Sequence, residues 1–175
     1  MEAVKTRKRV FDFSDIEHFA LRILVDEQTL KPTETAREFS KHFEEIMIDE
    51  YQDSNQVQED ILTAISREHQ RVGNMFMVGD VKQSIYRFRM ARPELFMEKY
   101  NTYTSDDSAH QRIDLHKNFR SRNEVLDFTN DIFYKIMAAD LGNVQYDDDA
   151  ALYPGASYPK ETMRPELLLL SLIHI

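Results

Sequence analysis

The chain has 175 residues, of which 42% are hydrophobic and 30% are charged, and its formal net charge is −9. This composition is typical of a folded globular protein, and the acidic balance argues against a surface that binds nucleic acid as a whole. The sequence contains no cysteine, which excludes disulfides and thiolate metal sites and favours a reducing, cytoplasmic location. Because no apolar run approaches the length of a membrane span, we expect neither a membrane segment nor export.

The first residues predict two helices. Ser14 followed by Glu17 has the spacing of a capping box and precedes apolar residues at helical intervals, which predicts a helix over about residues 15–25. Thr33 follows a proline and is a suitable cap for the second helix.

Two predicted strands follow these helices. Residues 46–48 are apolar and bounded by acids, which is typical of a short strand buried on both faces, and residues 75–80 form another apolar run that closes with a glycine and an acid. Between the strands, apolar residues four apart predict an amphipathic helix from Asn55 to near Gly73. The alternation favours an α/β fold with a parallel sheet, in which ligands bind beyond the carboxyl ends of the strands.

A polar connector divides the sequence into two predicted domains. Pro93 can open a helix, and residues 104–110 have the polar composition of a connecting segment. We therefore predict a first domain over residues 1–106 and the beginning of a second over residues 107–175.

The second predicted domain begins with a strand over about residues 113–116. Apolar residues at helical intervals then predict a helix over about residues 125–136. Glycines, prolines and acids predict a long loop over residues 140–166, and the apolar residues 167–175 predict a terminal strand.

Two adjacent acids end the first predicted strand. In "EIMIDEYQDS", residues 45–54, Asp49 and Glu50 directly follow the apolar residues. An acid fixed at such a strand end can hold Mg²⁺ against nucleotide phosphates, while its neighbour can accept a proton from an attacking water. The alternative is structural, with Asp49 capping the next turn and Glu50 pointing to water.

The second candidate segment is "GDVKQSIYRFRMA", residues 79–91. Gln83 could orient a water or contact a terminal phosphate, as a glutamine does in other nucleotide hydrolases. Beyond it, aromatic rings alternate with guanidinium groups, which suits single-stranded nucleic acid of any sequence because rings stack on bases and guanidinium groups bind phosphates. Equally, the rings could be core residues and the arginines a solvated face. The alternating residues are Tyr86, Arg87, Phe88 and Arg89.

The third candidate segment is "HKNFRSR", residues 116–122. Arg120 could stabilise the charge that develops in phosphoryl transfer, as an arginine finger does, and Phe119 could stack on a base. The simpler reading is the basic beginning of a helix.

Three consecutive acids raise one further possibility. Asp147, Asp148 and Asp149 could serve a metal-dependent nuclease. However, consecutive side chains in a loop diverge in direction, and such runs are more often solvated.

In combination and in this order, the segments resemble motifs of the superfamily 1 DNA helicases of the UvrD/Rep type. "IMIDEYQDSNQVQ" resembles their motif II, "MFMVGDVKQSIYRFRMA" their motif III and "LHKNFRSR" their motif IV. Residues 11–21 resemble the part of the first motor domain that precedes motif II, so the resemblance spans about residues 9–130. Motif III resembles in particular the AddA-like branch of bacterial ATP-dependent helicase/nucleases, whereas in other branches glycines commonly stand where Arg87 and Met90 stand here.

The resemblance implies a fold and an activity. The fold would be part of a RecA-like parallel-sheet motor domain followed by the start of a second RecA-like domain. The parent protein would use ATP and Mg²⁺ to translocate on and unwind DNA in double-strand break repair and recombination, and would also be an exonuclease. Its partners would be single- and double-stranded DNA and a subunit of the AddB type.

The resemblance also implies roles for individual residues. Asp49 would hold Mg²⁺ through water, Glu50 would be the general base, and Gln83 would contact the γ-phosphate. Arg120 would be the arginine finger, and Phe119 would stack on adenine. Two further groups would couple nucleotide to DNA: Gln52 and Asp53 within motif II, and Tyr86, Arg87, Phe88 and Arg89 by contact with single-stranded DNA.

One expected feature of these helicases is missing from the sequence. No G-x-x-x-x-G-K-[ST] phosphate-binding loop occurs among the 175 residues. We therefore expect an internal fragment of a longer motor subunit that is inactive alone. The alternative is a non-catalytic module that binds single-stranded DNA or a protein partner.

Overall fold

The chain divides into two compact units, residues 1–112 and residues 113–175. That they correspond to two motor domains separated at residue 106 stays a prediction. The computed structural model describes residues 5, 7–70, 72–85, 90–138, 145–159 and 164–168. The first unit contains, in chain order, α1 (Phe13–Leu24), α2 (Glu34–His42), β1 (Ile46–Ile48), α3 (Gln56–Ile65), β2 (Met75–Met77) and α4 (Pro93–Thr102). The second unit contains β3 (Lys117–Asn118), α5 (Asn123–Ile136) and β4 (Tyr153–Pro154).

Helix α1 begins two residues earlier than predicted and has a different cap. The N-cap is Asp12, whose side chain accepts a hydrogen bond from the Asp15 amide at 3.0 Å, while the Asp15 carboxylate accepts one from the Asp12 amide at 2.9 Å. The predicted pair of Ser14 and Glu17 is therefore wrong, because an aspartate in each of the two capping positions already satisfies these amides. Glu17 instead accepts a hydrogen bond from Gln58 of α3 at 2.8 Å.

Three helices form the core of the first unit. Leu24 of α1, Ala36 of α2 and Ala64 of α3 are buried against one another. The two alanines allow the helix backbones to approach closely, since their side chains occupy little space. Thr33 caps α2, as predicted, by accepting a hydrogen bond from the Ala36 amide at 3.3 Å.

Helix α3 begins as predicted and ends earlier. Asn55 is its N-cap, but the helix stops at Ile65 and not near Gly73. Ser66 leaves the helix in an extended conformation, and its hydroxyl donates a hydrogen bond to the Thr63 carbonyl at 2.9 Å. Such local competition for a backbone carbonyl is how serine ends helices.

Strands β1 and β2 pair in parallel, as predicted, with Met47 opposite Phe76. The prediction that β1 is buried on both faces is wrong. Met47 and Phe76 are 70% and 56% exposed, whereas their neighbours along each strand are half-buried. Apolar residue type therefore did not reveal that one face of this sheet is exposed in the described part of the chain.

The second unit contains a two-stranded parallel sheet beside α5. Helix α5 is where it was predicted, but residues 113–116 do not form a strand, since the strand is β3, immediately after them. The predicted loop 140–166 contains β4 within its described part. Residues 167 and 168 are irregular and exposed, so the predicted terminal strand is wrong there, and residues 169–175 lie outside the described residues.

The architecture is mixed helix with small parallel sheets, consistent with the predicted α/β class. A RecA-like motor domain stays a prediction. Of the helices that the structure describes, none is both long and apolar enough to cross a membrane.

Candidate active site

The turn after β1 carries Asp49 and Glu50. Asp49 is exposed, and its carboxylate accepts a hydrogen bond from the Glu50 amide at 2.9 Å. Glu50 has φ of 49°, in the left-handed region that non-glycine residues adopt at a cost. The Tyr51 amide then donates to the Val78 carbonyl at 2.9 Å, which ties the turn to the end of β2. The two acids therefore lie at the carboxyl edge of the sheet, where ligands bind in open α/β folds.

A hydrogen-bond network joins Glu50 to Gln83. The Gln52 side chain donates to the Glu50 carboxylate at 2.6 Å and accepts from the Asp80 amide at 3.0 Å. The Asp80 carboxylate in turn accepts from the Gln83 side chain at 3.2 Å. The structure thus brings three predicted site residues, Glu50, Gln52 and Gln83, together through Asp80.

Asp80 has a central position that was not assigned a role from the sequence. It caps the 3-10 turn Val81–Gln83 by accepting from the Lys82 amide at 3.0 Å, and the Lys82 ammonium lies 3.1 Å from its carboxylate. Its position after an apolar run and a glycine was the signal available in the sequence.

Gly79 allows the two strand ends to approach each other. A Cβ at this residue would lie 2.7 Å from the Gln52 side-chain oxygen and 2.9 Å from a ring carbon of Phe96. Gly79 does not have a positive φ, so its backbone conformation does not require glycine. Glycine is needed here because there is no room for a side chain. A side chain at residue 79 would displace the amide that joins the two strand ends.

An open cleft of about 530 Å³ lies beside the two acids. Its polar lining includes Asp49, Glu50, Asp53 and Gln58. One carboxylate oxygen of Asp53 is buried and has no hydrogen-bond partner within the described part of the chain. Burial, followed by the negative charge of Glu50, raises the pKa of the Asp53 carboxyl above its ordinary value. The cleft therefore offers carboxylate oxygens to a ligand that brings positive charge or hydrogen-bond donors.

A buried network supports this turn from the other side. Tyr51 is 1% exposed, and its hydroxyl donates to the Glu59 carboxylate on α3. The second oxygen of Glu59 accepts from the Lys99 ammonium on α4 at 2.9 Å. Burial, together with the hydrogen bond to Glu59, raises the pKa of Tyr51, so the hydroxyl keeps its proton. Burial lowers the pKa of Lys99, but the hydrogen bond and charge of Glu59 outweigh it, so that pKa is raised.

Sequence patterns contain little sign of this network because Lys99 lies 40 residues from Glu59 along the chain. An aromatic residue within an acidic turn was the one available signal. Through the hydrogen bonds of Tyr51, Glu59 and Lys99, the turn with Asp49 and Glu50 is connected to both α3 and α4.

The predicted DNA-binding residues lie outside the described residues. These are Tyr86, Arg87, Phe88 and Arg89. On the far side of the gap, Met90 has φ of 66°. The next residues attach to motif II, since the Arg92 amide donates to the Ser54 carbonyl at 2.9 Å and the Arg92 guanidinium donates to Gln56 at 2.6 Å. The described residues on both sides of the segment predicted to bind DNA are thus connected to the chain that carries Asp49 and Glu50.

Phe119 and Arg120 belong to the second unit and are exposed. The Asn118 side chain accepts from the amides of Arg120 and Ser121 at 2.9 and 2.8 Å, which fixes the backbone of this turn.

The carboxylates of Asp147 and Asp148 have structural hydrogen-bond partners. The Asp147 carboxylate accepts from the amides of Asp149 and Ala150, each at 3.1 Å. Asp148 accepts from the Tyr134 hydroxyl at 2.8 Å, and this hydrogen bond raises the pKa of Tyr134 to about 12. Across the described residues, no group of three or more acidic or histidine side chains is arranged to hold a metal ion. The nuclease alternative stays a prediction.

Comparison with known proteins identifies the family. The family model for the UvrD/REP helicase N-terminal domain matches residues 1–104. AddA proteins, which are subunits of ATP-dependent helicase/nucleases, are similar over most of the chain: that of Lachnoclostridium phytofermentans is 57% identical over 91% of the chain, and that of Bacillus velezensis is 51% identical over 97%. The chain spans only 12% to 14% of the length of these relatives. Since the family match covers more than half of the sequence and includes Asp49, Glu50 and Gln83, the chain belongs to the UvrD/REP helicase family.

Proposed function

We propose that this chain is an internal part, carrying motifs II, III and IV, of an AddA-type motor protein, which is an ATP-dependent helicase/nuclease. The parent protein would hydrolyse ATP to translocate on and unwind DNA in double-strand break repair and recombination. The observation that carries the proposal is the hydrogen-bond network from Glu50 through Gln52 and Asp80 to Gln83, which joins two strand ends at one ligand-binding edge.

The donor set fits a magnesium nucleotide. Mg²⁺ is commonly bound by one or two carboxylates, with water and substrate phosphates as the other ligands. Asp49 is an exposed carboxylate beside the cleft, so it can hold the ion without further acidic ligands. When bound, Mg²⁺ would neutralise negative charge on the phosphates.

Glu50 is proposed as the general base. Its carboxylate would accept a proton from the attacking water, while the Gln52 amide fixes the direction of that carboxylate. Gln83 would donate a hydrogen bond to the γ-phosphate and would exchange its present contact with Asp80 for that contact. Movement of Gln83 would then reach the adjoining segment 86–89, proposed to bind single-stranded DNA, and so couple the nucleotide state to DNA binding.

Motif IV would complete the chemistry. We assign adenine stacking to Phe119 and stabilisation of the γ-phosphate charge to Arg120, on the basis of the sequence pattern. The name of the relatives supports ATP use, and their designation as one subunit of an enzyme agrees with a second subunit of the AddB type. Because the sequence has no phosphate-binding loop, ATP hydrolysis is assigned to the longer parent protein and not to this chain alone.

The test is Glu50→Gln in the longer parent protein. Glutamine keeps an oxygen that can accept from Gln52 but cannot take up a proton, so ATP binding should persist while turnover falls by about 10²- to 10⁴-fold. DNA-stimulated ATPase and equilibrium ATP binding should be measured in parallel. Glu45→Gln, an exposed acid at the opposite end of β1, is the matched control and should leave both unchanged.

Unchanged turnover in Glu50→Gln would remove Glu50 from this role. If the parent protein bound single-stranded DNA in a salt-dependent manner but without any dependence on nucleotide, the non-catalytic binding module would be the better description.

A further inference from the structure

We propose that residues 153–159, here called the supporting segment, position Phe119 and Arg120 for nucleotide, with Gly155 and Tyr158 as the positioning residues. The inference rests on the proposed function, because it concerns the residues assigned there to adenine and the γ-phosphate.

The backbone of the supporting segment pairs with the strand that directly precedes Phe119 and Arg120. Strand β4 pairs in parallel with β3, and beyond it the Gly155 amide donates to the Asn118 carbonyl at 2.7 Å. The Asn118 side chain also accepts from the Arg120 amide at 2.9 Å. Asn118 is therefore held by the supporting segment and itself holds the backbone that carries Arg120.

Tyr158 attaches the segment to the other part of the same turn. Its hydroxyl donates to the Phe119 carbonyl at 2.9 Å. The Arg122 guanidinium lies 5.4 Å from the centre of the Tyr158 ring and donates to the Pro159 carbonyl at 2.7 Å. The supporting segment thus contacts the chain on both sides of Arg120.

Gly155 determines where the Phe119 ring lies. Gly155 does not have a positive φ, so its backbone conformation would accept a larger residue. A Cβ at this position, however, would lie 2.7, 2.8 and 2.9 Å from three ring carbons of Phe119. Because the Phe119 side chain is 67% exposed, it can rotate away from an added methyl group at little cost in stability. Alanine at residue 155 should therefore redirect the ring without unfolding the unit.

The supporting segment does not act on nucleotide affinity through charge. The supporting segment, YPGASYP, contains no ionisable acid or base that is charged at neutral pH. A change in nucleotide affinity after substitution in this segment would therefore report the placement of Phe119 and Arg120 and not a change in electrostatic potential.

The experiment measures equilibrium binding of fluorescent ATP and CTP to the longer parent protein. Gly155→Ala should weaken ATP binding by about three- to tenfold, with a smaller change for CTP, whose base stacks over a smaller area. Tyr158→Phe should weaken ATP binding in the same direction. The matched control is Tyr134→Phe on α5, outside the supporting segment, whose lost hydroxyl donates to the Asp148 carboxylate, and it should leave affinity unchanged.

A double substitution tests whether Gly155→Ala weakens ATP binding by displacing the Phe119 ring or by a route independent of that ring. Phe119→Ala should weaken ATP binding by about tenfold, and adding Gly155→Ala to it should produce no further loss, because the two residues act through one contact. Independent losses that multiply would contradict the inference. The melting temperature of each variant, followed by circular dichroism, should stay at the wild-type value.

The possible failures are distinguishable. A parent protein that binds no ATP would overturn the proposed function and this inference together. If Phe119→Ala weakens ATP binding but Gly155→Ala and Tyr158→Phe do not, the proposed function stands and the inference is wrong. Should Gly155→Ala fail to fold, Tyr158→Phe, which removes a single exposed hydroxyl, decides the outcome.

Discussion

The turn after β1 and the turn that carries motif IV are held in different ways. In the first, Tyr51 and Glu59 are buried, with 1% and 9% of their surface exposed. In the second, Phe119 is 67% exposed and is held by hydrogen bonds at the surface. Buried hydrogen bonds to charged groups contribute more to stability than exposed ones. Substitutions in the first turn should therefore lower the free energy of unfolding. Substitutions in the second turn should change function and leave the free energy of unfolding unchanged.

Backbone strain follows the same division. Non-glycine residues with positive φ in the described part of the chain all lie in the first unit, and two of them, Glu50 and Met90, lie in the segments that resemble motifs II and III. Each such residue costs about 1–2 kcal/mol, so these conformations persist only where surrounding contacts impose them. The buried network around Tyr51 offers such contacts for the turn with Glu50.

The largest expected effect comes from breaking the buried pair. Lys99→Met should lower the free energy of unfolding by about 3 kcal/mol, because it leaves Glu59 charged, buried and short of one partner. Lys135→Met in α5 removes the exposed pair with Asp131 and should change the same quantity by less than about 0.5 kcal/mol. Equilibrium urea unfolding of the 175-residue chain measures both. Equal losses in the two variants would erase the contrast between the units.

A smaller change in the free energy of unfolding, which depends on pH, is expected on substitution of Asp53. Burial, followed by the charge of Glu50, raises the pKa of Asp53 in the folded state. A carboxyl with a raised folded pKa favours the folded state below its unfolded pKa, and this contribution is lost as the pH rises through the folded pKa. Asparagine does not titrate, so Asp53→Asn should stabilise the protein relative to wild type at neutral pH and not below 3.8, the ordinary aspartate value.

Urea unfolding at both pH values checks this sign. Asp127→Asn, an exposed acid on α5, serves as the control and should show no such difference between the two pH values. A gain for Asp53→Asn that is the same in acid and at neutral pH would show that the carboxyl's charge is not the cause.

Local patterns in the sequence predicted much of this fold and site. Thr33 was predicted as a cap because a cap acts on amides two or three residues away, and the beginning of α3 was predicted from apolar residues four apart. The approach of Glu50 and Gln83 was expected because parallel strands place their carboxyl ends at one edge. By contrast, the pairing of Glu59 with Lys99 depends on residues 40 positions apart, which no local pattern encodes. The exposed face of β1 was missed for the same reason, since coverage depends on distant parts of the chain.

Gly155 illustrates the same limit in the second unit. Within the sequence it is one glycine in a predicted loop, and the usual interpretation is a turn. Its actual role depends on the Phe119 ring, which approaches the Cα closely enough that a methyl group would collide with it. Function-related positions of this kind become visible only when the distant partner is known.

The smallest expected effect tests whether backbone strain is stored at Met90. Met90 has φ of 66° and is 78% exposed, so its side chain adds little packing to offset the strain. Met90→Gly should raise the free energy of unfolding by about 0.5 kcal/mol, because relief of about 1–2 kcal/mol of strain exceeds the added entropy of the unfolded glycine. Glu98→Gly, at an exposed position within α4, should instead lower it by about 1 kcal/mol. Opposite signs in the two variants would locate the strain at Met90, whereas a loss in both would mean that its backbone conformation costs little.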